Sequence, residues 1–581
     1  MNSPFSAHRL PLTACRCSPL LTAAYRLPLA AYRCYVAEIL LVLFAVLGLL
    51  PYIIGAELVG TKAVVLALLV VLYFYFRVAL QAFKLSAYFF TILLLISALV
   101  QAVWGMAQLY GYLPSQHNMF ALTGSFFNPG PYAGYLAMLS PLALYYALSD
   151  YRVFQNSFAA KLSFFYLRWG VAALTLLAIV LVLPATMSRA AWLASASACV
   201  CVGFAFFASK FKLQAYIVRY KKALAVTIVL VVLLFSAGGF AMYQMKKDSA
   251  DGRALIWKNT LSAIQDNPWG VGLGHFAGAY GKVQAAYFEN GMGTAQEEKV
   301  AGNPEYAFNE YLQIGLEFGI AGLLLFVVAV ILLLKKGMHE QKYGAVGAVV
   351  SLLVFAAMSY PFSILAFLIV MVYLLAYLSA EAKLTNKKLL KGSFLIPKTM
   401  VYVILILNSC LLAIGLYKLY PTYRAYTDWN NAKMLYHMQY YAEVLPQYTS
   451  LAPHLNDRVE FLFEYAQILS KTAHYQQSNE VLAKATTISC DPMLYNVMGR
   501  NYQALRNYKA AEQNFAMASN IVPSRMYPYY LLAKLYYETG DRHKFEHAAA
   551  LVLQKEPKIH SPAIDEMRDE IKKLVLQHSP P

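Results

Sequence analysis

The chain has 581 residues, 59% of them hydrophobic and only 13% charged, with a formal net charge of +18. A soluble globular domain is nearer half apolar and a quarter charged, so these figures exclude a wholly soluble enzyme. The basic excess reads as membrane topology, because Lys and Arg collect in cytoplasmic loops, and no basic helix with interleaved aromatics points to nucleic acid.

The first 35 residues are low in complexity. RLPLTACRC (9–17) is echoed by RLPLAAYRC (26–34), without a core-forming pattern. A mis-assigned start accounts for this better than a cleaved signal peptide, since Pro and Arg interrupt any apolar run. Apolar stretches then recur, and about eleven membrane spans are predicted. They lie near 36–55, 62–80, 86–107, 131–148, 168–186, 189–208, 223–243, 315–334, 343–358, 361–379 and 399–420. Segments 149–168, 210–222, 335–342 and 381–398 carry Lys and Arg, whereas 108–130 has neither. The basic set is therefore cytoplasmic. Alternation puts the N-terminus inside, and the long loop 244–314, the turn 358–361 and the C-terminus outside.

From residue 424 the composition becomes that of a soluble helical domain. GRNYQALRNYKAAEQNFAMASNIVP (499–523) places Gly499, Tyr502, Tyr508, Ala511, Phe515, Ala518 and Pro523 at the spacing of a tetratricopeptide helix pair. A following copy holds Ala533, Tyr536, Gly540, Asp541 and Pro557, and a weaker preceding one Ala466, Leu469, Tyr475, Leu482 and Ala485. The expected fold is all-α: a polytopic helical bundle over 36–423, then an α-solenoid over 424–581. Pro421 reads as the hinge between them.

Polar residues at the lips of membrane spans are costly and often functional. Four places on the outer face qualify. In TGSFFNPGPYAGYLAML (123–139), Asn128 opens a turn that leads straight into a span, as a cap or a re-entrant segment. In MSRAAWL (187–193), Arg189 sits where positive charge is disfavoured, either snorkelling or binding an anion. In DGRALIWKNTLSAIQDNPWGVGLGHFAGAY (251–280), an amphipathic helix carries Leu255, Ile256, Leu261 and Ile264 on one side, with Arg253 near its start. Its Gly-rich turn lacks the strand and the Lys-Ser/Thr ending of a phosphate loop. His275 follows that turn; a lone loop histidine is more often structural than catalytic. In EYAFNEYLQIGLEFGIAG (305–322), Glu305, Asn309 and Glu310 crowd the mouth of a span. Two outward arginines suit bidentate phosphate binding. The seven cysteines (Cys15, Cys17, Cys34, Cys199, Cys201, Cys410, Cys490) form no metal-ligand spacing, so metal-independent and cofactor-free chemistry is expected.

GSFFNPGPYAGYL, SRAAWL, GRALIWKNTLSAIQDNPWGVGLGHF and FNEYLQIGLEFGIAG, in that order, resemble the O-antigen ligase and polymerase superfamily of bacterial inner-membrane proteins. The resemblance implies a glycosyltransferase that takes a glycan from undecaprenyl pyrophosphate on the periplasmic side and passes it to a lipid, glycan or protein acceptor. Arg189 and Arg253 would hold the pyrophosphate, and Asn309 and Glu310 would orient the acceptor or shape the loop. Ligases of the superfamily carry a His-Asn pair followed by Gly-x-x-Gly. Asn309, Gly319 and Gly322 keep that frame, but Phe308 stands where the histidine would be. Glu305, Glu310 or His275 would then be the base, and weight moves toward polymerase or protein O-glycosylation. An inactive member is a further alternative. From other classes, a transporter or a non-enzymatic membrane scaffold are the rivals. The helical tail suits a protein partner.

Overall fold

The computed structural model describes residues 32–54, 60–82, 86–156, 162–210, 247–380, 393–396, 398–558 and 560–578. The predicted span at 223–243 and most of the predicted cytoplasmic loops at 210–222 and 381–398 lie outside these. The all-α expectation needs one amendment among the described residues: β1 (Tyr32–Tyr35) pairs antiparallel with β2 (Ser393–Ile396), Tyr32 opposite Ile396 and Tyr35 opposite Ser393.

The first apolar stretches form α1 (Val36–Ile53), α2 (Thr61–Ala82), α3 (Ser86–Leu109), α4 (Pro129–Asn156), α5 (Leu162–Val182) and α6 (Arg189–Lys210). Ala133, Leu136, Ala137, Met138, Leu139 and Ala143 of α4 are fully buried, because α5, α6 and a later helix, α12 (Tyr343–Ala356), all pack on it. Small residues allow that crowding: a Cβ on Gly134 would collide with Phe355. The outward faces stay apolar, as at Leu174, Leu177, Val180, Val200 and Phe204, which suits contact with lipid tails. Among the described residues five helices are long and apolar enough to cross a membrane: Thr61–Gln81, Ser86–Leu109, Tyr166–Thr186, Arg189–Ser209 and Gly319–His339. Val36–Tyr52, Tyr343–Ala356 and Leu365–Ser379 are apolar but shorter. The protein is thus a helical membrane protein; five helices among the described residues meet the length and hydropathy of a span, where about eleven spans are expected over the whole chain.

The loop expected at 244–314 is mostly helical: α7 (Lys247–Asp266), α8 (Phe276–Glu289) and the short α9 (Ala295–Val300). Helix α7 starts six residues before Arg253 and buries Leu255, but Leu261 points outward, so the single apolar face read from the sequence does not hold. The span predicted at 315–334 is broken in two, α10 (Glu310–Glu317) and α11 (Gly319–His339), because Gly319 takes φ +73°. After α12 a 3-10 turn, Pro361–Ser363, leads into α13 (Leu365–Ser379).

Helix α14 (Lys398–His437) runs for 40 residues straight through Pro421. The proline expected as the hinge thus lies inside a helix that continues past it, with one helical hydrogen bond removed. Next come α15 (Tyr441–Leu451), three successive helix pairs, α16 (Val459–Lys471) with α17 (Tyr475–Ile488), α18 (Pro492–Ala504) with α19 (Tyr508–Ile521), α20 (Tyr527–Thr539) with α21 (Arg542–Gln554), and finally α22 (Pro562–His578). The predicted repeat positions Ala466, Leu482, Ala485, Ala511, Phe515, Ala518 and Ala533 are fully buried. Gly499 lets α18 approach the Phe515 ring more closely than any Cβ would allow.

The later of these helices pack around a cluster of their own that includes Phe515, Leu535 and Phe545, whereas the earlier ones share a core with the loop. Ala263, Phe276, Tyr280, Ala307 and Leu316 share one hydrophobic cluster with Trp429, Tyr448, Phe461, Leu482, Cys490 and Ile521. Backbone meets backbone here: a Cβ on Gly278 would lie 2.2 Å from the Thr487 carbonyl oxygen. Gln284 donates to both the Gly302 and Ile521 carbonyls, at 2.7 and 2.6 Å.

Candidate functional site

The predicted polar residues gather where α6 and α10 begin and α12 ends. Arg189 opens α6 after a 3-10 turn, Pro184–Thr186, and a left-handed Met187. A cation at a helix N-terminus opposes the helix dipole, so local folding gives no reason for it. Arg253 lies in the second turn of α7, half-buried. Its Nη1 donates to the Met358 carbonyl at 2.9 Å, and its guanidinium sits 5.3 Å over the Phe308 ring. Burial lowers the Arg253 pKa, and the Arg189 charge lowers it further; Tyr360 works the other way. The two arginines are therefore neighbours, and among the described residues no carboxylate offsets Arg253.

An aromatic wall backs them. Tyr360 stacks on Tyr306 at 4.8 Å and meets the Phe308 ring edge-on at 5.3 Å. Glu305 is exposed at the rim, hydrogen-bonded to the Tyr306 hydroxyl; burial, then Glu305, pushes that phenol up to about 12.

Asn309 is the N-cap of α10: its Oδ1 accepts from the Tyr311 and Leu312 amides at 3.1 and 3.3 Å. That is the loop-shaping use of this side chain. Glu310 is 2% exposed, and its Oε1 accepts from the Phe362 amide at 2.6 Å. Burial pushes its carboxyl up to about 8; the Phe362 hydrogen bond and Lys62 lower it, and Glu317 raises it. Glu317, two turns on, is buried as well, and bonds the Gly274 amide and Gln313. His275 occupies the N-cap position of α8 without a capping bond, and its Nδ1 is buried with no hydrogen-bond partner; it acts electrostatically on Glu317. Asn128 caps the entry to α4: its Oδ1 accepts from the Gly130 amide at 3.0 Å.

Two groups thus emerge, Arg189–Arg253 with the aromatic wall and Glu310–Glu317 with Lys62 and His275, linked through Tyr306 and the stretch 358–362. The sequence reading missed Lys62, Glu317 and Tyr360. Lys62 carried a usable signal: like Arg189, it is a cation on the lip where the charge pattern disfavours one. Among the described residues no group of three or more His, Cys, Asp or Glu could hold a metal ion.

The Gly-rich turn and the Gly319 break are one structure. Val271 N and Gly272 N donate to the Leu316 and Glu317 carbonyls at 2.9 and 3.1 Å, and Ile320 N to Pro268 at 3.0 Å. Gly270, Gly272 and Gly274 all have φ between 92° and 96°. The turn fastens α7 and α8 to the break between α10 and α11 and so fixes the two groups relative to each other.

Phe308 has φ +51°. Among residues with a side chain, Asn, Asp and His enter this left-handed region most readily. The position thus keeps a backbone suited to histidine while carrying phenylalanine. Phe308→His is expected to change the melting temperature in detergent by no more than about 4 °C, whereas Phe308→Val, β-branched and poorly tolerated at positive φ, lowers it further. Equal losses for the two substitutions would show that ring packing, not backbone, governs the site.

The fold and the site define a multi-pass membrane protein with paired cations and buried acids at one end of its bundle. Residues 173–327 match the family described as O-antigen ligase. The match takes in Arg189, Arg253, His275, Glu305, Asn309 and Glu310, and leaves out Asn128, Lys62 and the C-terminal helices. It supports the O-antigen ligase superfamily, and with it an enzyme that transfers glycan between a lipid-linked donor and an acceptor in a membrane. Apolar helices and family together are consistent with an inner-membrane protein. No curated protein matches the chain.

Proposed function

We propose that the protein transfers a glycan from undecaprenyl pyrophosphate to an acceptor on the periplasmic face. The observation that carries this is the Arg189–Arg253 pair, two neighbouring cations set against an aromatic wall within the matched region. A diphosphate satisfies both, and arginine forks suit its oxygens. The acceptor hydroxyl oxygen bonds the anomeric carbon as the bond from that carbon to the diphosphate oxygen breaks. The diphosphate leaves with the electron pair, stabilised by the arginines. The acceptor proton passes to Glu310, the buried carboxyl whose pKa is near working pH. Asn309 shapes the loop that presents it, Glu305 stands at the rim, and His275 supports Glu317.

Polymerase activity and protein O-oligosaccharyl transfer are the alternatives within this chemistry. The core shared by the loop and the C-terminal helices supports the second, because those helices would then offer a protein acceptor a surface near the site.

Glu310→Gln keeps the size and the Phe362 hydrogen bond and removes the base. Transfer in membranes of a deletion strain carrying this variant is expected to fall about a hundredfold, read on lipopolysaccharide, capsule and glycoprotein fractions separately. Normal transfer at normal expression would remove Glu310 from the mechanism, and the fraction that changes in the deletion strain identifies the acceptor class.

A further inference from the structure

Helix α2 begins Gly60-Thr61-Lys62, and Gly60 has no side chain with which to cap it. The first amides of a helix need partners from elsewhere. Here Thr61 N donates to Asp457 Oδ2 at 2.6 Å, across 396 positions of sequence, and Arg458 Nη2 donates to Thr61 Oγ1 at 3.3 Å. The missing side chain at Gly60 makes room: a Cβ there would lie 3.3 Å from that same carboxylate oxygen. The carboxylate also complements the positive end of the helix dipole. So the cap on a candidate membrane span comes from the turn just before α16, in the helical region that follows the last predicted span.

The residue after Thr61 is Lys62. Its side chain reaches the Gly274 turn, where a Cβ would come within 3.2 Å of its Cδ and 3.5 Å of its Nζ, and its charge acts on both buried carboxyls, Glu310 and Glu317. We propose that Asp457 is a positioning residue for glycan transfer: by capping α2 it fixes the turn from which Lys62 is held against the Glu310–Glu317 pair. This rests on the reading of Glu310 as the proton acceptor. It makes the C-terminal helices part of the transfer site rather than a separate appendage.

The groups that face Glu310 are Glu317 on its own helix, Lys62 from α2, Tyr306 from the approach loop and the Phe362 amide; Glu317 in turn faces His275 and the Gly274 amide. Lys62 is the cation that favours ionised Glu310. When it is displaced, a higher pH is needed to ionise the carboxyl, and the rising limb of the rate against pH moves to the alkaline side.

The test is transfer against pH with the full-length protein in membranes, using a lipid-linked glycan donor. Asp457→Ala and Lys62→Gln are each expected to move the rising limb up by about one pH unit. Asp457→Asn, which still accepts from Thr61 N, keeps the wild-type limb. An unshifted profile for Lys62→Gln, a substitution at an exposed side chain, overturns the proposal even where Asp457→Ala fails to accumulate. A shift in Asp457→Asn as large as in Asp457→Ala also overturns it, since the cap would not be what matters. Inactive Glu310→Gln together with an unshifted Asp457→Ala removes the positioning role alone; active Glu310→Gln removes the reading beneath it as well.

Discussion

Arg253→Ala is expected to lower glycan transfer at least about a hundredfold while the protein still folds and enters the membrane. The structure separates the two outcomes. Arg253 donates one hydrogen bond, to the Met358 carbonyl, and lies over the Phe308 ring. A half-buried guanidinium in that role supports packing worth about 1–2 kcal/mol, which a membrane domain of this size survives. Its charge is held beside that of Arg189 at a cost, because Arg253 is desolvated and the two cations repel. A fold gains nothing from that arrangement, whereas a departing diphosphate does. Arg253→Lys retains the charge but not the fork, so it is expected to recover only part of the rate. The double variant with Arg189→Ala is expected to lose less than the product of the two single losses, because both residues address one anion. Initial rates at saturating donor check this. A wild-type rate in Arg253→Ala would end the assignment of the anion site, whatever the family match says.

How far the sequence led can be seen in particular residues. Arg189 and Arg253 were legible because each breaks a rule of its surroundings, a cation on the lip of an apolar helix or at the start of an amphipathic one. Some helix caps are local, as at Asn309, Asp491 and Asp541, whose side chains accept from amides two or three residues on, although none of the three is read as a helix cap in the sequence. The rest of what escaped was non-local. Lys62 gains its meaning from Glu310 and Glu317, almost 250 residues away, and its own helix is capped from residue 457. The domain boundary at 424 looked clean by composition, yet α14 runs through it and the loop shares a core with the helices beyond. Composition records whether a residue meets lipid, water or protein, and not which protein segment it meets.

The glycine frame shows the same limit and supplies the second large effect. Gly319 was visible as half of a spaced pair, with no stated reason for being glycine. In the structure it has φ +73°, and a Cβ would fall 2.5 Å from the Trp269 carbonyl carbon and 2.6 Å from its oxygen. Gly270 faces it in the same way, 2.6 Å from the Gly319 nitrogen. These neighbours are backbone, fixed by the 2.9–3.1 Å hydrogen bonds that join the turn to α10 and α11, so neither side can yield. The left-handed backbone alone costs a side chain about 1–2 kcal/mol; the collision comes on top and breaks the turn that holds the arginines to the acids. Gly319→Ala is therefore expected to abolish accumulation of folded protein, or to leave a protein that melts more than about 10 °C lower. Gly291→Ala is the control. It has φ +67° and nothing within 4 Å of the added Cβ, so it carries the backbone cost without the collision. Gly322→Ala falls between: its Cβ would lie 2.5 Å from the Phe318 Cβ, an atom held by the backbone, but Gly322 carries no left-handed backbone cost. Fluorescence-detected gel filtration after a heating series ranks the three. Gly319→Ala melting with Gly291→Ala would mean that the turn and the helix break are not locked together, and that the two halves of the site are held in register by something else.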